Sequence, residues 1–296
     1  MRLRHIEVFQ AVYSSGSVTR AAEILSVSQP SVSKVLAHAE QQLGYALFDR
    51  VRGTLVPTPE ANQLYSHVLN VNQSVDRLRH VAENLRAAEE GRVRIAATPA
   101  FGIDILPKAI ASYREQHKDT IFTVETLHHD ELASALLESR LDVGLAFDPE
   151  NIPGISGEVL GHGKFVVLTP PGMEFGDKRQ LSIEDLVGLS FINLDKRGPL
   201  GRLLSARIES SGVALDTVAH AETYQVAKAL VAYGVGVTVT DEVTAKSSGH
   251  DEVRVWPLVP GLKFRITALR LDKAPMSMVC RRFVDHLVEC LGDFLK

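Results

Sequence analysis

The sequence predicts a small helical domain, then one long helix, then an α/β domain whose strands form two sets. Three observations support this fold class. Apolar residues recur at helical spacing in several short segments before Pro57. Residues 60–90 contain no Gly or Pro and keep a helical pattern throughout. From Arg92 onward, β-branched and apolar runs alternate with helical patterns, which predicts mostly parallel sheets covered on both faces.

Composition indicates a folded protein with an uneven charge distribution. The chain has 296 residues, of which 45% are hydrophobic and 23% charged, enough for two or three compact units with buried cores. The net charge is −4, but residues 1–58 hold six Lys/Arg and four Asp/Glu, so this part carries +2 and the remainder −6. A basic amino-terminal part on an acidic remainder fits nucleic-acid binding by the first part.

The cysteines and the apolar runs indicate the compartment. Cys280 and Cys290 fall in one predicted helix, where ten residues separate them by about 15 Å, too far for a disulfide. We therefore expect free thiols in a reducing cytosol. The amino terminus lacks the apolar core of a signal peptide, and no apolar run approaches ~18 residues. The expected protein is soluble and cytoplasmic, without a membrane partner.

The amino-terminal pattern predicts three short helices. An amphipathic helix opens the chain, with apolar residues at Leu3, Ile6, Phe9, Val12 and Tyr13. Ser17 is placed to cap the second helix, whose inward face is Val18, Ala21, Ala22 and Leu25. Ser26-Val27-Ser28 makes a turn, and Pro30 lies in the first turn of the third helix. The buried stripe of that helix is Val32, Leu36, Ala39 and Leu43.

The opposite face of the third helix is polar. It presents Gln29, Ser31, Ser33, Lys34 and His38, whose side chains can bond base edges and phosphates. The small pair Ala21-Ala22 suits a steep helix crossing, so we interpret the pair of helices as a helix-turn-helix. A short β-hairpin over residues 49–57 then forms a wing, with Arg50 and Arg52 placed near phosphates. The alternative is a helical hairpin with a polar surface and solvated arginines.

The long helix has one apolar seam. Thr58-Pro59-Glu60 is a helix start, the pattern continues to about Glu90, and Gly91 ends it. Apolar residues alternate spacings of four and three: Leu64, Val68, Val71, Val75, Leu78, Ala82 and Leu85. Such a narrow heptad seam predicts pairing in a homodimer. Packing of the seam against the chain's own body is the alternative.

The remaining strands divide into two sets. The first is 93–98, 121–126 and 142–147, with helices starting near Gly102 and Asp130 between them. The second is 165–170, 190–194, 218–222 and 235–240; a strand at 263–271 and a last helix from about Pro275 follow. Two sets predict two lobes, with the chain crossing near Val159–Lys164 and returning near Phe264.

These features resemble LysR-type transcriptional regulators over the whole chain. The specific marks are Ala21-Ala22, the run from Ser28 to Ser33, Glu40, Leu43-Gly44, Leu47-Phe48-x-Arg50 and Pro57-Thr58. Residues 3–61 look most like the branch containing LysR itself and the octopine and nopaline regulators. One departure is Ala39, where many members carry Leu.

The resemblance implies a sequence-specific DNA-binding regulator with a periplasmic-binding-protein-like effector domain. It implies a winged helix-turn-helix domain over 1–58, a linker and dimerisation helix over 59–90, and an effector domain over 91–296. Lobe I would span about 91–162 and 267–296, and lobe II about 163–266. It also implies dimers that form tetramers, and leaves RNA polymerase as a further candidate partner. The expected contacts to double-stranded DNA are Thr19, Arg20, Gln29, Pro30, Ser31, Ser33, Lys34, His38, Arg50 and Arg52.

An effector would bind beyond the carboxyl ends of the strands, where helix amino termini favour anions. The family offers a hydroxyl on the first such loop, but the matching position here is Ala100, so Thr98 or backbone N–H groups must substitute. Arg197 and Lys196 could pair a carboxylate, and Asp195 or Asp148 could receive an amine, although charged loop residues are often just solvated. We expect a small carboxylate-bearing, amino-acid-like effector and no cofactor. The candidate contacts are Thr98, Ala100, Phe101, Thr126, His128, His129, Asp148, Asp195, Arg197, Thr223 and Tyr224.

Other function classes have less support in the sequence. His128-His129-Asp130 suggests a metal, but no second ligand cluster has metal-site spacing, so we expect surface histidines. There is no GxSxG, P-loop or CxxC, and Gly234-Val235-Gly236 ends a helix instead of opening one. The chain is therefore predicted not to be an enzyme. An enzyme with a fused DNA-binding domain and a DNA-architectural protein remain the rival classes.

Overall fold

The computed structural model describes residues 1–51, 54–87, 91–250, 252–272 and 275–296, apart from the side chains of Gln73, Arg77 and Ala87. It contains two compact units, residues 1–80 and 81–296, and one long helix contributes residues to both. Within the described residues, no helix is long and apolar enough to cross a membrane.

The first unit has the predicted helical order followed by a two-stranded wing. Its elements are α1 (Leu3–Ser15), α2 (Val18–Ile24), α3 (Gln29–Leu43), β1 (Phe48–Val51), β2 (Thr54–Pro57) and the start of α4 (Pro59–Ala87). The Ser17 hydroxyl accepts a bond from the Arg20 N–H, which confirms it as the α2 cap. Gly44 ends α3 in the left-handed conformation, where φ is 82° and a side chain would be strained.

The core of the first unit uses the predicted apolar faces. Phe9 and Val12 of α1 are fully buried, as is Ala21 at the helix crossing. On α3 the predicted stripe is buried at Val32, Leu36 and Ala39, and half-buried at Leu43. Strand β1 pairs antiparallel with β2, so the predicted wing is present.

The seam of α4 has two parts with different surroundings. Val68 is buried and Leu64 packs beside it, both against the core of the first unit. Towards the carboxyl end, Leu78 is 70% and Leu85 79% exposed in the single chain. The helix is described to Ala87, and the remaining predicted residues 88–90 lie outside the described part. The distal part of the seam is therefore an apolar face that the described residues leave exposed.

The second unit alternates strands and helices. Its elements are β3 (Arg92–Ala97), α5 (Pro99–Gly102), α6 (Ile105–Gln116), β4 (Ile121–Thr126), α7 (His129–Leu137), β5 (Val143–Phe147), β6 (Ile155–Thr169), β7 (Ser190–Leu194), α8 (Pro199–Ser211), β8 (Asp216–Ala221), α9 (Tyr224–Ala232), β9 (Thr238–Asp241), α10 (Glu242–Lys246), β10 (Arg254–Pro257), β11 (Lys263–Leu271) and α11 (Met278–Leu295). The main sheet has the order β10-β6-β11-β5-β3-β4, β9 also pairs with β6, and β7 pairs with β8 separately.

The sheets are mixed instead of mostly parallel, which corrects the expectation. Strands β3, β4 and β5 are parallel, as are β7 and β8. Strand β11, however, runs antiparallel to both β5 and β6. The physical reason is that β6 carries the chain from one strand set to the other and β11 brings it back. The two crossings pair with each other, and they lie where the sequence predicted them.

The first half of β6 was not predicted because glycines interrupt its pattern. A Cβ atom on Gly157 would lie 2.8 Å from the Thr267 side chain, and one on Gly163 would lie 2.3 Å from the Phe264 ring. These glycines therefore permit close approach of β6 to β11. Strand β10 and helix α10 were also missed.

The carboxyl-terminal helix α11 packs on the second unit's core through Phe283, Val284 and Leu287. Both cysteines lie in this helix and are free, as expected. Cys280 is buried, but Cys290 is only half-buried.

Candidate functional site

Helix α3 presents most of its predicted DNA-contact residues to solvent. Gln29, Ser31 and Lys34 are exposed, as is Pro30 in the first turn. Ser33 is half-buried, and its hydroxyl accepts a bond of 2.9 Å from the Gln29 amide nitrogen. This bond fixes one end of the Gln29 side chain and leaves its carbonyl oxygen available.

The predicted DNA-contact residues that flank this surface differ in their exposure and hydrogen bonding. Thr19 and Arg20, at the start of α2, are exposed. His38 is exposed, yet its Nδ1 atom lies 3.1 Å from Nε2 of the buried His5, so one ring nitrogen is engaged within the fold. Burial lowers the pKa of His5, and the nearby His38 lowers it further.

The wing is anchored to α3 by an acid whose role the sequence did not reveal. The Glu40 carboxylate accepts bonds from the backbone N–H groups of Leu47, at 2.8 Å, and Phe48, at 3.4 Å. These bonds set where β1 begins, and Arg50 then lies exposed on that strand. Arg52 lies outside the described residues. Glu40 is therefore a positioning residue for the wing.

A cavity of about 330 Å³ lies in the second unit at the carboxyl ends of five strands. Eight predicted effector residues line it: Thr98, Ala100, His128, His129, Asp195, Arg197, Thr223 and Tyr224. Pro99 and Gly198, which lie within the predicted loops, also line it, and the lining residues that the sequence did not single out are Asp130, Glu131, Phe147, Pro199, Leu200 and Glu222. Glu222 could have been found, since it is the acid directly after β8.

Three predicted effector residues do not line this cavity. Phe101 is fully buried in the core, with its ring 4.3 Å from the Phe147 ring. Thr126 is exposed at the end of β4. The Asp148 carboxylate accepts a bond of 2.8 Å from the Arg265 side chain. We therefore remove Phe101, Thr126 and Asp148 from the candidate set.

One guanidinium and two carboxylates form an ion-pair cluster at the cavity edge. Arg197 Nε donates to Asp195 at 2.7 Å, and a terminal nitrogen of the same group donates to Glu222 at 2.8 Å. The bond from Arg197 lowers the pKa of Asp195, and Asp195 in turn raises the pKa of Arg197. In this conformation Arg197, the expected carboxylate partner of an effector, is already paired.

Burial leaves several cavity groups neutral. Burial lowers the pKa of His129, so its ring is uncharged near pH 7, and burial raises the pKa of Tyr224. The Thr98 hydroxyl and both ring nitrogens of His129 are buried without a hydrogen-bond partner among the described residues. An unsatisfied buried polar group costs about 1–3 kcal/mol, so any arrangement that supplies partners is favoured.

The adjacent histidines, His128 and His129, have different charged neighbours. The Nε2 atom of His128 lies 3.9 Å from a carboxylate oxygen of Glu222, whereas Asp130, Glu150 and Arg202 are near His129. No group of three or more potential metal ligands was found in the part of the chain that the structure describes.

Comparison with known proteins gives the family. Residues 3–62 match the model for a bacterial regulatory helix-turn-helix protein of the lysR family, and residues 86–291 match the LysR substrate binding domain. The chain belongs to the LysR family of transcriptional regulators. The regulator DgcR of a Pseudoalteromonas species is 41% identical over 291 residues, which cover 98% of this chain and 100% of DgcR.

Two further relatives support the whole-chain resemblance. The activator LysR of Escherichia coli K12 is 30% identical over 97% of this chain and 92% of its own length, which confirms the expected similarity to LysR. A crystal structure of the family member CbnR with its target DNA matches with a TM-score of 0.71 and 18% identity, covering 98% of this chain and 100% of CbnR.

These matches confirm the architecture of a helix-turn-helix domain, a linker helix and an α/β effector domain. The protein is therefore a DNA-binding transcriptional regulator with an effector-binding domain. Members of this family are not enzymes, which confirms the exclusion of catalysis.

Proposed function

We propose that a small carboxylate-bearing, amino-acid-like effector binds the cavity and changes DNA binding or activation. The observation that supports this proposal is the cavity in the second unit. Its volume of about 330 Å³ is that of about eleven water molecules, which suits an amino-acid-sized ligand. Helix α8 begins at the cavity wall with Gly198 as its N-cap and Pro199, which has no N–H, at its first position, so the Leu200 N–H and the helix dipole are what favour an anion there.

The DNA-contact surface that we propose is the exposed face of α3 with its flanks. Gln29 is the base-reading residue, and Lys34 and Arg50 contact phosphates. The remaining contacts are Thr19, Arg20, Pro30, Ser31, Ser33, His38 and Arg52. The exposure of Gln29, Lys34 and Arg50 supports this assignment.

Two substitutions separate sequence reading from phosphate binding. Lys34→Ala should weaken binding to every DNA sequence and lower the salt slope by roughly one unit. Gln29→Ala should instead relax preference at one base position, at a cost of about 1–3 kcal/mol. Binding is measured by fluorescence anisotropy on operator variants at several salt concentrations, with Glu23→Gln, an exposed position on α2, as the control. Unchanged operator preference in Gln29→Ala contradicts the assignment.

The assembly that we propose is a homodimer through the linker helices, with two dimers joining as a tetramer through effector domains. The exposed apolar face at Leu78 and Leu85 supports the dimer. We keep 1–58, 59–90 and 91–296 as the functional division, with lobe I at about 91–162 and 267–296 and lobe II at about 163–266. The expected compartment is the bacterial cytoplasm, where chromosomal DNA is found, and RNA polymerase is the further partner.

Effector binding would act by changing how the two lobes close. Contacts among the described residues join the strand sets beside the cavity: for example, the Gln225 amide donates to the Pro99 carbonyl at 3.0 Å, and Arg202 pairs with Glu150. A ligand that prefers one closure shifts the lobe equilibrium by its difference in affinity. In a dimer, that shift changes the spacing of the DNA-binding domains.

A ligand screen tests the effector proposal. Thermal-shift measurements on the full chain with amino acids, opines and aromatic acids should give saturable stabilisation by a carboxylate-bearing compound. The same compound should change the DNA footprint. Saturable stabilisation only by a carboxylate-free cation or by a sugar would discard the carboxylate.

A further inference from the structure

The two acids at the cavity edge follow neighbouring parallel strands. Leu194, the last residue of β7, pairs in register with Ala221, the last residue of β8. Asp195 and Glu222 come next, so their carboxylates lie at the same sheet edge. Both bind one group, the Arg197 guanidinium, at 2.7 and 2.8 Å. This pair of acids is a site for one cation, which the chain itself occupies.

The bonds that hold Arg197 there are weak enough to exchange. Its side chain is 72% exposed, and those of Asp195 and Glu222 are 30% and 58% exposed. Ion pairs at such exposure are screened by solvent and contribute little to stability. A ligand cation that brings further contacts can therefore displace the guanidinium.

The charge of the cavity wall favours a ligand that carries a cation. The described lining contains four carboxylates, from Asp130, Glu131, Asp195 and Glu222, and one guanidinium, from Arg197. A ligand that brings only a further negative charge is repelled by this excess of carboxylates over guanidinium groups. A ligand with an ammonium group compensates part of it.

We propose that the effector's ammonium group binds between Asp195 and Glu222 in place of Arg197, and that Arg197 turns to the effector's carboxylate. This inference rests on the proposed effector function and narrows the ligand to dipolar amino acids. Arg197 then binds the two acids when no effector is present, and it binds the effector's carboxylate when one is.

The lining next to Arg197 can receive the rest of the carboxylate. The start of α8 at Gly198 directly follows Arg197 and has no side-chain cap. The Thr98 hydroxyl and the ring nitrogens of His129, which are buried without partners among the described residues, also line the cavity and can gain a partner by rotating towards a bound carboxylate.

Matched ligands test the ammonium subsite. The L and D forms of the common amino acids are compared by calorimetry with the corresponding 2-hydroxy acids and decarboxylated amines, using the full chain. An amino acid should bind on the order of ten- to a hundredfold more tightly than its 2-hydroxy acid, because a charged hydrogen-bond donor is lost. Equal binding by the hydroxy acid, or binding of no amino acid, would overturn the inference.

Variants test the residues themselves. Asp195→Asn and Glu222→Gln should each remove most of the preference for the amino acid over the hydroxy acid. Arg197→Ala should weaken amino-acid binding but strengthen binding of the decarboxylated amine, because the competing cation is gone. Glu209→Gln is the matched control, since that acid pairs with Lys196 and lies outside the cavity lining. Variants that behave like the control contradict the assignment.

The two proposals fail in different ways. If a carboxylic acid without an amino group binds fully and changes the DNA footprint, the ammonium subsite is wrong and the effector function stands. If an amino acid binds as expected but no compound changes the footprint, the subsite stands and the effector function fails.

Discussion

Asn84 ties the end of the linker helix to the first strand of the effector domain. Its amide nitrogen donates to the Arg92 carbonyl at 3.0 Å, and its amide oxygen accepts from the Arg92 N–H at 2.8 Å. The side chain thus pairs with the backbone as a neighbouring strand would. A Cβ atom on Gly91 would lie only 2.5 Å from the Asn84 oxygen, so the adjoining glycine is part of the arrangement. Strand β3 then leads directly to Thr98 at the cavity.

Replacing Asn84 with alanine removes both bonds. Each contributes about 0.5–1.5 kcal/mol, so the free energy of unfolding of the second unit should fall by about 1–3 kcal/mol. The chain's single tryptophan, Trp256, is buried in that unit, so its fluorescence reports unfolding there. Urea titration of the full chain should therefore show a lower midpoint for Asn84→Ala.

Glu83→Ala is the control for this experiment. Glu83 is exposed beside Asn84 in the same unit, so the substitution also places alanine in this turn of the helix without removing the Arg92 bonds. A midpoint for Asn84→Ala equal to that of the control would show that the two bonds do not stabilise the domain.

Two further predictions concern assembly and pH. Replacing Leu78 and Leu85 with aspartate should convert the proposed dimer to a monomer in sedimentation experiments without unfolding it, because both side chains are exposed in the single chain. Glu83→Gln, at an exposed polar position of the same helix, is the control and should remain dimeric. A dimeric double variant contradicts the proposed interface. Burial raises the pKa of Asp241 from 3.8 to about 6, so between these pH values the unfolded chain loses a proton that the folded chain keeps, and stability falls as pH rises. Between pH 4 and pH 7, Asp241→Asn should remove about 2–3 kcal/mol of this fall, measured by the same Trp256 fluorescence. An unchanged difference between variant and parent at the two pH values contradicts the prediction.

Helices and strands that are determined by residues within one short segment could be predicted from the sequence. Helix α3 starts beside Pro30, buries Val32 and Leu36, and ends at Gly44, all within one short segment. Strand β11 has the predicted limits because Phe264, Ile266 and Thr267 favour strands and the run contains no Gly or Pro. The first half of its neighbour β6 was not predicted, because the glycines that fit it against Phe264 are usually found in loops.

The position of the cavity could be predicted from the sequence, but the ion pairs of the charged residues around it could not. Residues that follow four strands line it, together with the last residue of β5, as expected of an α/β sheet. Which charges are free depends on partners far along the chain. Asp148 pairs with Arg265, which follows it by 117 residues, and Arg197 pairs with Glu222 across the β7–β8 edge. Such pairings depend on the tertiary fold, so the sequence alone left Asp148 in the candidate set.

The most direct test of the account is the binding of the purified full chain to its own promoter region at moderate salt, with and without the screened amino acids. DNase footprinting should show a protected site that competitor DNA of unrelated sequence does not abolish. An amino acid should change the extent or spacing of that protection. Equal binding to all sequences, in the presence and absence of every compound, would contradict the account.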